Sequence, residues 1–146
     1  PVLEIRPEIP LDDSRYLAAL QSVIKELARS DQIVIHGRSS QFILRDYPQS
    51  LHIFTVAPLE IRIKRTMGGL KVDEDKAKQE IAHYDHSRRE FTKRYFKAER
   101  EEPTNYDLVI NTNRLSYEAA ASVIIHTLSL KPKTGQPDVI DETPRT

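Results

Sequence analysis

The sequence contains no cysteine and no tryptophan, and only one methionine and four glycines among its 146 residues. Without cysteine the chain forms neither disulfides nor a thiolate site, which fits a reducing, cytoplasmic compartment. No apolar run approaches the roughly 20 residues that a membrane-spanning helix requires. Lysine plus arginine number 22, and so do aspartate plus glutamate, so the formal net charge is zero. This balance argues against a nucleic-acid-binding or membrane-surface protein, and any basic site has to be local.

The composition is that of one domain with a modest core. Apolar residues make up 38% of the chain and charged residues 30%, which suits a small globular domain with a well-solvated surface. Three prolines among the first ten residues predict an extended arm over residues 1–11. We expect one α/β domain over residues 12–130. Prolines and polar residues then predict a flexible tail over residues 131–146.

Hydrophobic periodicity divides the central region into helices and short strands. Asp12 and Asp13 are good N-caps for a first helix, whose apolar residues repeat at helical spacing as far as Leu27. Strands are predicted over 32–36, 51–56 and 106–110. Helices are predicted after Pro58, over 73–97 and after Ser116, with a further short one between the first two strands. Buried strands alternating with helices favour an α/β layered fold with a mainly parallel sheet of about three strands and one long charged helix.

The first candidate site is Gly37-Arg38-Ser39, which follows the first predicted strand. In an open parallel sheet, ligands sit beyond the carboxyl ends of the strands. Glycine lets backbone approach a ligand closely, and a guanidinium suits phosphate. The alternative is an ordinary turn with a surface arginine.

The second candidate is the pair Arg62 and Arg65, which share a face of the helix after the second strand. Such a pair could hold phosphate oxygens or stabilise a transferring phosphoryl group. The alternative is a solvated helix face, which is the commoner meaning of scattered cations.

The third candidate lies on the long helix, where Arg88 falls on an apolar stripe. A charge on a buried face is costly unless it is paired, and Asp85 is a ready partner three residues earlier. The two form either a structural ion pair or a pair that faces a ligand cleft. A separate basic stripe is interpreted as a solvated face; it consists of Arg89, Lys93, Lys97 and Arg100. His83 and His86 flank Asp85, but no further ligands are evident and no metal site is expected.

These segments together resemble the cytidylate-kinase-like family of P-loop kinases. The run IVIHGRSSQFIL at 33–44 is similar to the family's strand that ends in Gly-Arg-Gly and leads into an apolar helical turn. LHIFTVAPLEIR at 51–62 is similar to its next strand and arginine-bearing helix. DHSR at 85–88 matches its D-x-x-R helix, and YDLVINT at 106–112 its last strand. The resemblance covers roughly residues 12–128 and implies a three-layer, P-loop-kinase-like parallel sheet, here truncated, with flanking helices.

The family transfers the γ-phosphate of ATP to a nucleoside monophosphate such as CMP or dCMP. The resemblance implies that Arg38 holds the acceptor phosphate, that Arg62 and Arg65 lie beside a mobile lid, and that the D-x-x-R pair faces the acceptor or the transferred group. It therefore gives Arg62, Arg65 and Arg88 as catalytic residues, and Gly37, Arg38, Ser39 and Asp85 as substrate-binding residues. Two departures bear on CMP specificity: Ile81 stands where an arginine often precedes the aspartate by four residues, and Ser39 replaces a glycine.

One element of such a kinase is absent from the printed sequence. None of the four glycines stands in a G-x-x-x-x-G-K-[ST] pattern, the loop that holds the ATP phosphates and Mg²⁺. Bound ATP and Mg²⁺ are therefore expected only if an upstream segment supplies that loop, and otherwise no cofactor is expected. Taken alone, the chain is expected to be inactive. Its start at Pro1 fits either a removed initiator methionine or a segment of a longer polypeptide.

The absent loop also raises the question of how the sheet is completed. In the family it follows a central strand that lies between the strands matching 32–36 and 51–56. We expect these two strands to pair directly, or to be completed through a homodimer or by an upstream domain. The rival interpretation is a non-enzymatic module that binds a nucleotide or a protein, or an oligomerising degenerate kinase domain. No nucleic-acid or membrane partner is expected.

Overall fold

The computed structural model describes residues 12–30 and 32–131. The predicted arm at 1–11 and the predicted tail from residue 132 onward lie outside the described residues. In chain order the elements are α1 Asp13–Arg29, α2 Ser40–Ile43, β1 Ile53–Val56, α3 Leu59–Leu70, α4 Glu74–Phe96, a 3₁₀ turn Pro103–Asn105, β2 Leu108–Asn111 and α5 Tyr117–Ser129. None of the helices within these two ranges combines the length and apolar character needed to cross a membrane.

The helices begin where the sequence places their caps. The Asp12 side chain accepts a hydrogen bond from the backbone N–H of Arg15 at the start of α1, and Asp73 and Ser116 cap α4 and α5 in the same way. These bonds satisfy backbone donors that have no partner inside the helix. Only α3 runs past its predicted end: it continues through two glycines to Leu70 and stops where Lys71 takes a left-handed conformation.

The sheet is parallel, as predicted. β1 and β2 pair in register from Ile53 opposite Leu108 to Val56 opposite Asn111, and α3 and α4 form the crossover between them. At the amino end of the pair, the Asp107 carboxylate accepts a hydrogen bond of 2.7 Å from the His52 backbone N–H. Both strands therefore point the same way, and their carboxyl ends meet at one edge.

The run 32–36, predicted as a buried strand, forms no strand. Within the described part of the chain the sheet therefore has two strands instead of about three. Val34 is 94% exposed and Ile33 is 42% exposed. Direct pairing of this run with β1 is therefore absent. β-branched residues favour a strand only when neighbouring backbone and side chains are present to pack against them, and no described strand lies beside this run.

The helices α3 and α4 pack through a small apolar cluster. Ile63, Ala77 and Ile81 are its buried members, and Met67 and Val72 pack against them. Farther along α4, the buried Thr92 hydroxyl lies 2.8 Å from the Ser39 hydroxyl, which joins the start of α2 to α4. These contacts fix the faces of α3 and α4 that carry the candidate site.

Candidate functional site

An open cleft of about 570 Å³ lies against β1, between α3, α4 and the segment that follows α4. It is lined by Phe54, Thr55 and Val56 of β1 and by Thr112, just beyond β2. Its charged lining consists of Arg62, Arg65, Arg88, Arg89, Arg100, Asp85 and Glu101. Five guanidinium groups against two carboxylates give the cleft a positive excess, although the chain as a whole is neutral. Four of the seven predicted site residues therefore meet in one place.

The most ordered pair in the cleft joins Arg62 of α3 to Asp85 of α4. Two guanidinium nitrogens of Arg62 donate hydrogen bonds of 2.7 and 2.8 Å to the two carboxylate oxygens. The Asp85 side chain is 14% exposed, so solvent screens this pair less than a surface pair. The hydrogen bond from Arg62 lowers the pKa of Asp85 below its ordinary value of 3.8, and the charges of Arg62, Arg89 and Arg100 act in the same direction.

This pairing corrects the predicted partner of Asp85. The sequence offered Arg88, one helical turn away, whereas the packing of α3 against α4 brings Arg62 to the carboxylate instead. The guanidinium carbon of Arg88 lies 5.9 Å from the centroid of the Tyr84 ring, and Arg88 is exposed. Among the described acidic residues, none forms an ion pair with Arg88. Its charge therefore faces the cleft without a carboxylate partner.

Arg65 is tied to the carboxyl end of β2. It donates 2.8 Å hydrogen bonds to the hydroxyl and to the backbone carbonyl oxygen of Thr112. Its guanidinium carbon also lies 5.2 Å from the centroid of the Tyr117 ring, a cation–π distance. Neutral partners hold this arginine in place and leave its charge uncompensated.

Arg89 and Arg100, which the sequence analysis assigned to a solvated face, line the cleft instead. Arg89 Nε donates a 2.8 Å hydrogen bond to Glu101 Oε1, and the Arg100 guanidinium carbon lies 4.9 Å from the centroid of the Phe54 ring. The helix predicted over 73–97 ends at Phe96, so Arg100 lies in the loop that follows α4, as its position beyond the predicted helix indicates. The interpretation as a solvated face was therefore wrong for Arg89 and Arg100, because α4 and the loop after it bring both to the cleft.

The Gly37-Arg38-Ser39 turn lies beside the cleft but does not line it. All three residues have positive φ values, of 85°, 56° and 52°, and the buried Ser39 hydroxyl is engaged with Thr92. Arg38 is exposed, while His36, two residues earlier, lines the cleft. The substrate-binding role of the turn stays a prediction.

Ile81, which stands where the family often has an arginine, belongs to the apolar core of this protein. Ile81 is buried in the cluster between α3 and α4, away from the cleft lining. An arginine there would have to place its charge in that core at considerable cost.

No group of three or more histidine, aspartate or glutamate side chains within residues 12–30 and 32–131 is arranged to hold a metal ion.

The parallel strands, their helical crossover and an arginine-lined cleft define the class: an α/β protein with a basic site beside its sheet. The chain belongs to the cytidylate kinase-like family, whose model matches residues 7–114. It is 31% identical to the cytidylate kinase of Desulfurococcus amylolyticus, over 91% of this chain and 73% of that protein. It is 29% identical to the cytidylate kinase of Sulfolobus acidocaldarius, over 75% of this chain and 59% of that protein.

Two further likenesses concern other proteins. The chain is 33% identical to a uronate isomerase of Corynebacterium glutamicum over 71% of its own length, but spans only 20% of that protein. A solved structure of an uncharacterized protein from Eubacterium ventriosum superposes with a TM-score of 0.73 and 24% identity, and covers 84% of this chain and 69% of the other. This superposition supports the α/β fold.

Proposed function

We propose that the cleft binds the phosphate of a nucleoside monophosphate such as CMP, and that the chain supplies the acceptor side of a cytidylate-kinase-like phosphotransferase. The observation that carries this proposal is the convergence of five arginines on one cleft beside the sheet of a neutral protein. Guanidinium groups match phosphate oxygens in charge and in planar geometry. The cytidylate kinases among the relatives point to the same chemistry.

The arginines have different tasks in this proposal. Arg62 is preorganised by Asp85, and Arg65 by Thr112, so each meets a phosphate with little loss of side-chain freedom. Arg88 forms no ion pair with any carboxylate in the described ranges, so it is the cation that gains most from an incoming phosphate. Asp85 acts by positioning Arg62. Arg38 is assigned to the acceptor phosphate by the family resemblance alone, because its turn lies beside the cleft lining.

Phosphoryl transfer further requires a donor side. The printed residues contain no G-x-x-x-x-G-K-[ST] loop, so we propose that ATP and Mg²⁺ are bound only where an additional segment supplies it. One edge of β1 is unpaired among the described residues, and the run 33–36 lies exposed. A strand from an upstream domain, or from a second copy of the chain, would complete the sheet there. Only an upstream segment would also supply the donor loop, because a second copy of the chain lacks that loop as well.

The second candidate is a nucleotide-binding or oligomerising module without catalytic activity. The absent phosphate loop and the exposed Val34 favour it. An assay for conversion of CMP to CDP with ATP and Mg²⁺ separates the two candidates. Turnover by the chain in the presence of an added loop-bearing segment supports the kinase. Nucleotide binding without turnover in that mixture supports the module.

The direct test is calorimetric titration of the chain with CMP. Each lost charge-assisted hydrogen bond weakens binding by roughly tenfold or more, and we expect Arg88→Ala and Arg38→Ala each to show such a loss. Lys93→Ala is the matched control, because Lys93 is exposed on the same helix as Arg88 and does not line the cleft. Unchanged affinity in both arginine variants would contradict the proposed site.

A further inference from the structure

Glu101 places a carboxylate inside the cleft between two arginines. Its Oε1 atom accepts a 2.8 Å hydrogen bond from Arg89 Nε and lies 3.6 Å from Arg100 Nη1. The two arginines come from different segments, α4 and the loop that follows it. One oxygen shared by two converging guanidinium groups is the arrangement that a phosphate oxygen takes in an arginine site.

Arg100 is held in place without help from Glu101. Its guanidinium carbon lies over the Phe54 ring of β1 at 4.9 Å, and its backbone carbonyl accepts a 2.6 Å hydrogen bond from the Tyr106 hydroxyl. The Tyr106 ring in turn stacks on Phe54, with centroids 4.9 Å apart. Because Phe54 and Tyr106 hold Arg100 from the side of the sheet, the Arg100 guanidinium stays in position when the Glu101 charge is removed.

The Glu101 contacts are weak enough to exchange. The side chains of Glu101 and Arg89 are 39% and 53% exposed, so solvent and salt screen their attraction. A phosphate dianion carries more charge than a carboxylate and can engage both guanidinium groups at once. An incoming phosphoryl group therefore competes effectively for these two arginines.

We propose that Arg89 and Arg100 form a second anion subsite of the cleft, suited to a phosphoryl group, which the Glu101 carboxylate occupies until the ligand displaces it. This inference rests on the proposed nucleotide-binding function and deepens it. It assigns one part of the cleft to a further phosphoryl group, and it makes Glu101 a competing internal anion that lowers the affinity. Arg62, Arg65 and Arg88 line the rest of the same cleft.

The test is a calorimetric titration with inorganic pyrophosphate at low ionic strength, where exposed charges are least screened. Glu101→Gln removes the competing charge, and we expect pyrophosphate to bind on the order of fivefold more tightly. Glu99→Gln is the matched control, because it removes the same charge from the same loop at a residue that does not line the cleft. We expect that variant to bind like the parent chain.

A second variant separates direct competition from general electrostatics. In a chain that also carries Arg89→Gln and Arg100→Gln, the gain from Glu101→Gln should disappear, because the subsite itself is gone. The subsite is refuted by weaker or unchanged binding in Glu101→Gln, by an equal gain in Glu99→Gln, or by a gain that persists without the two arginines. If CMP binding depends on Arg88 while pyrophosphate binding does not respond to Glu101→Gln, the subsite is refuted and the proposed function stands. If pyrophosphate binding responds to Glu101→Gln while CMP does not bind or its binding does not depend on Arg88, the subsite stands and the proposed binding of a nucleoside monophosphate is refuted.

Discussion

At the scale of single residues, the hydroxyl pair between Ser39 and Thr92 shows how the turn beside the cleft is held. Thr92 is fully buried, and its hydroxyl donates a 3.0 Å hydrogen bond to the Arg88 carbonyl oxygen. The Ser39 hydroxyl, 2.8 Å away, therefore donates to Thr92. Two non-glycine residues of this turn take left-handed conformations, which are unfavourable unless the surroundings fix them.

Replacing Thr92 by valine should be more damaging than removing both hydroxyls. The single change leaves the buried Ser39 hydroxyl without its acceptor, which we expect to lower the free energy of unfolding by about 1–3 kcal/mol. The double variant Ser39→Ala with Thr92→Val removes both polar groups and should recover part of that loss. Urea denaturation of Thr92→Val, Ser39→Ala and the double variant measures these losses in the free energy of unfolding. A double variant whose loss equals the sum of the two single losses would argue against the hydrogen bond.

His52 makes stability depend on pH near neutrality. Burial lowers the pKa of His52 below its ordinary value of 6.5, and the nearby Asp107 charge opposes that effect only in part. The unfolded chain therefore takes up a proton at a higher pH than the folded chain does. The stabilising contribution is complete above the ordinary pKa and is lost as the pH falls below it.

We expect the chain to be less stable at about pH 5.5 than at about pH 8, and His52→Gln to flatten this dependence. Denaturant midpoints at several pH values measure it. An equal slope in the His52→Gln protein would remove this histidine as the cause.

At the scale of elements, local signals were sufficient for the helices and insufficient for one strand. The predicted caps Asp12 and Ser116, the predicted helix over 73–97 and the helical spacing placed α1, α4 and α5 to within a residue or two of their observed ends. The run 32–36 carries an equally clear β-branched pattern, but strand formation depends on a neighbour that local sequence does not specify. The same limit explains the site: Arg62 and Arg88 could be located, whereas the choice of Arg62 as the partner of Asp85 depends on helix packing.

The contact between α3 and α4 gives a prediction at this scale. Ile81→Ala removes a buried side chain from the cluster and should lower the free energy of unfolding by about 2–4 kcal/mol, since a cavity is left between the helices. Leu70→Ala, at the exposed end of α3, should cost less than about 0.5 kcal/mol. Thermal and urea denaturation provide the comparison. Similar losses in both variants would mean that the cluster does not join the two helices.

At the scale of the whole molecule, the described residues carry more exposed apolar surface than their small sheet can cover. Val34, Ile125 and Leu130 are 94%, 68% and 71% exposed, and large exposed apolar areas commonly mark surfaces where other chains bind. This surface and the unpaired edge of β1 agree with the proposal that a further strand completes the sheet.

We therefore expect the 146-residue chain to self-associate as its concentration rises. Val34→Lys should weaken this association, because a charged side chain in the exposed run 33–36 opposes its pairing with another strand. Val23→Lys introduces the same charge on α1, outside the run 33–36, and serves as the control. Sedimentation velocity over a range of concentrations measures the effect. A protein that stays monomeric throughout would contradict completion of the sheet by a second copy.

This neutral protein concentrates five arginines in one cleft, and we propose that they bind a nucleotide phosphate. The most direct measurement is an NMR titration of the ¹⁵N-labelled chain with CMP. We predict saturable shifts in the backbone amides around Arg62, Arg88 and Arg100, and loss of these shifts in the Arg88→Ala protein. The absence of shifts, or shifts confined to the separate cavity around Phe42 and His52, would contradict it.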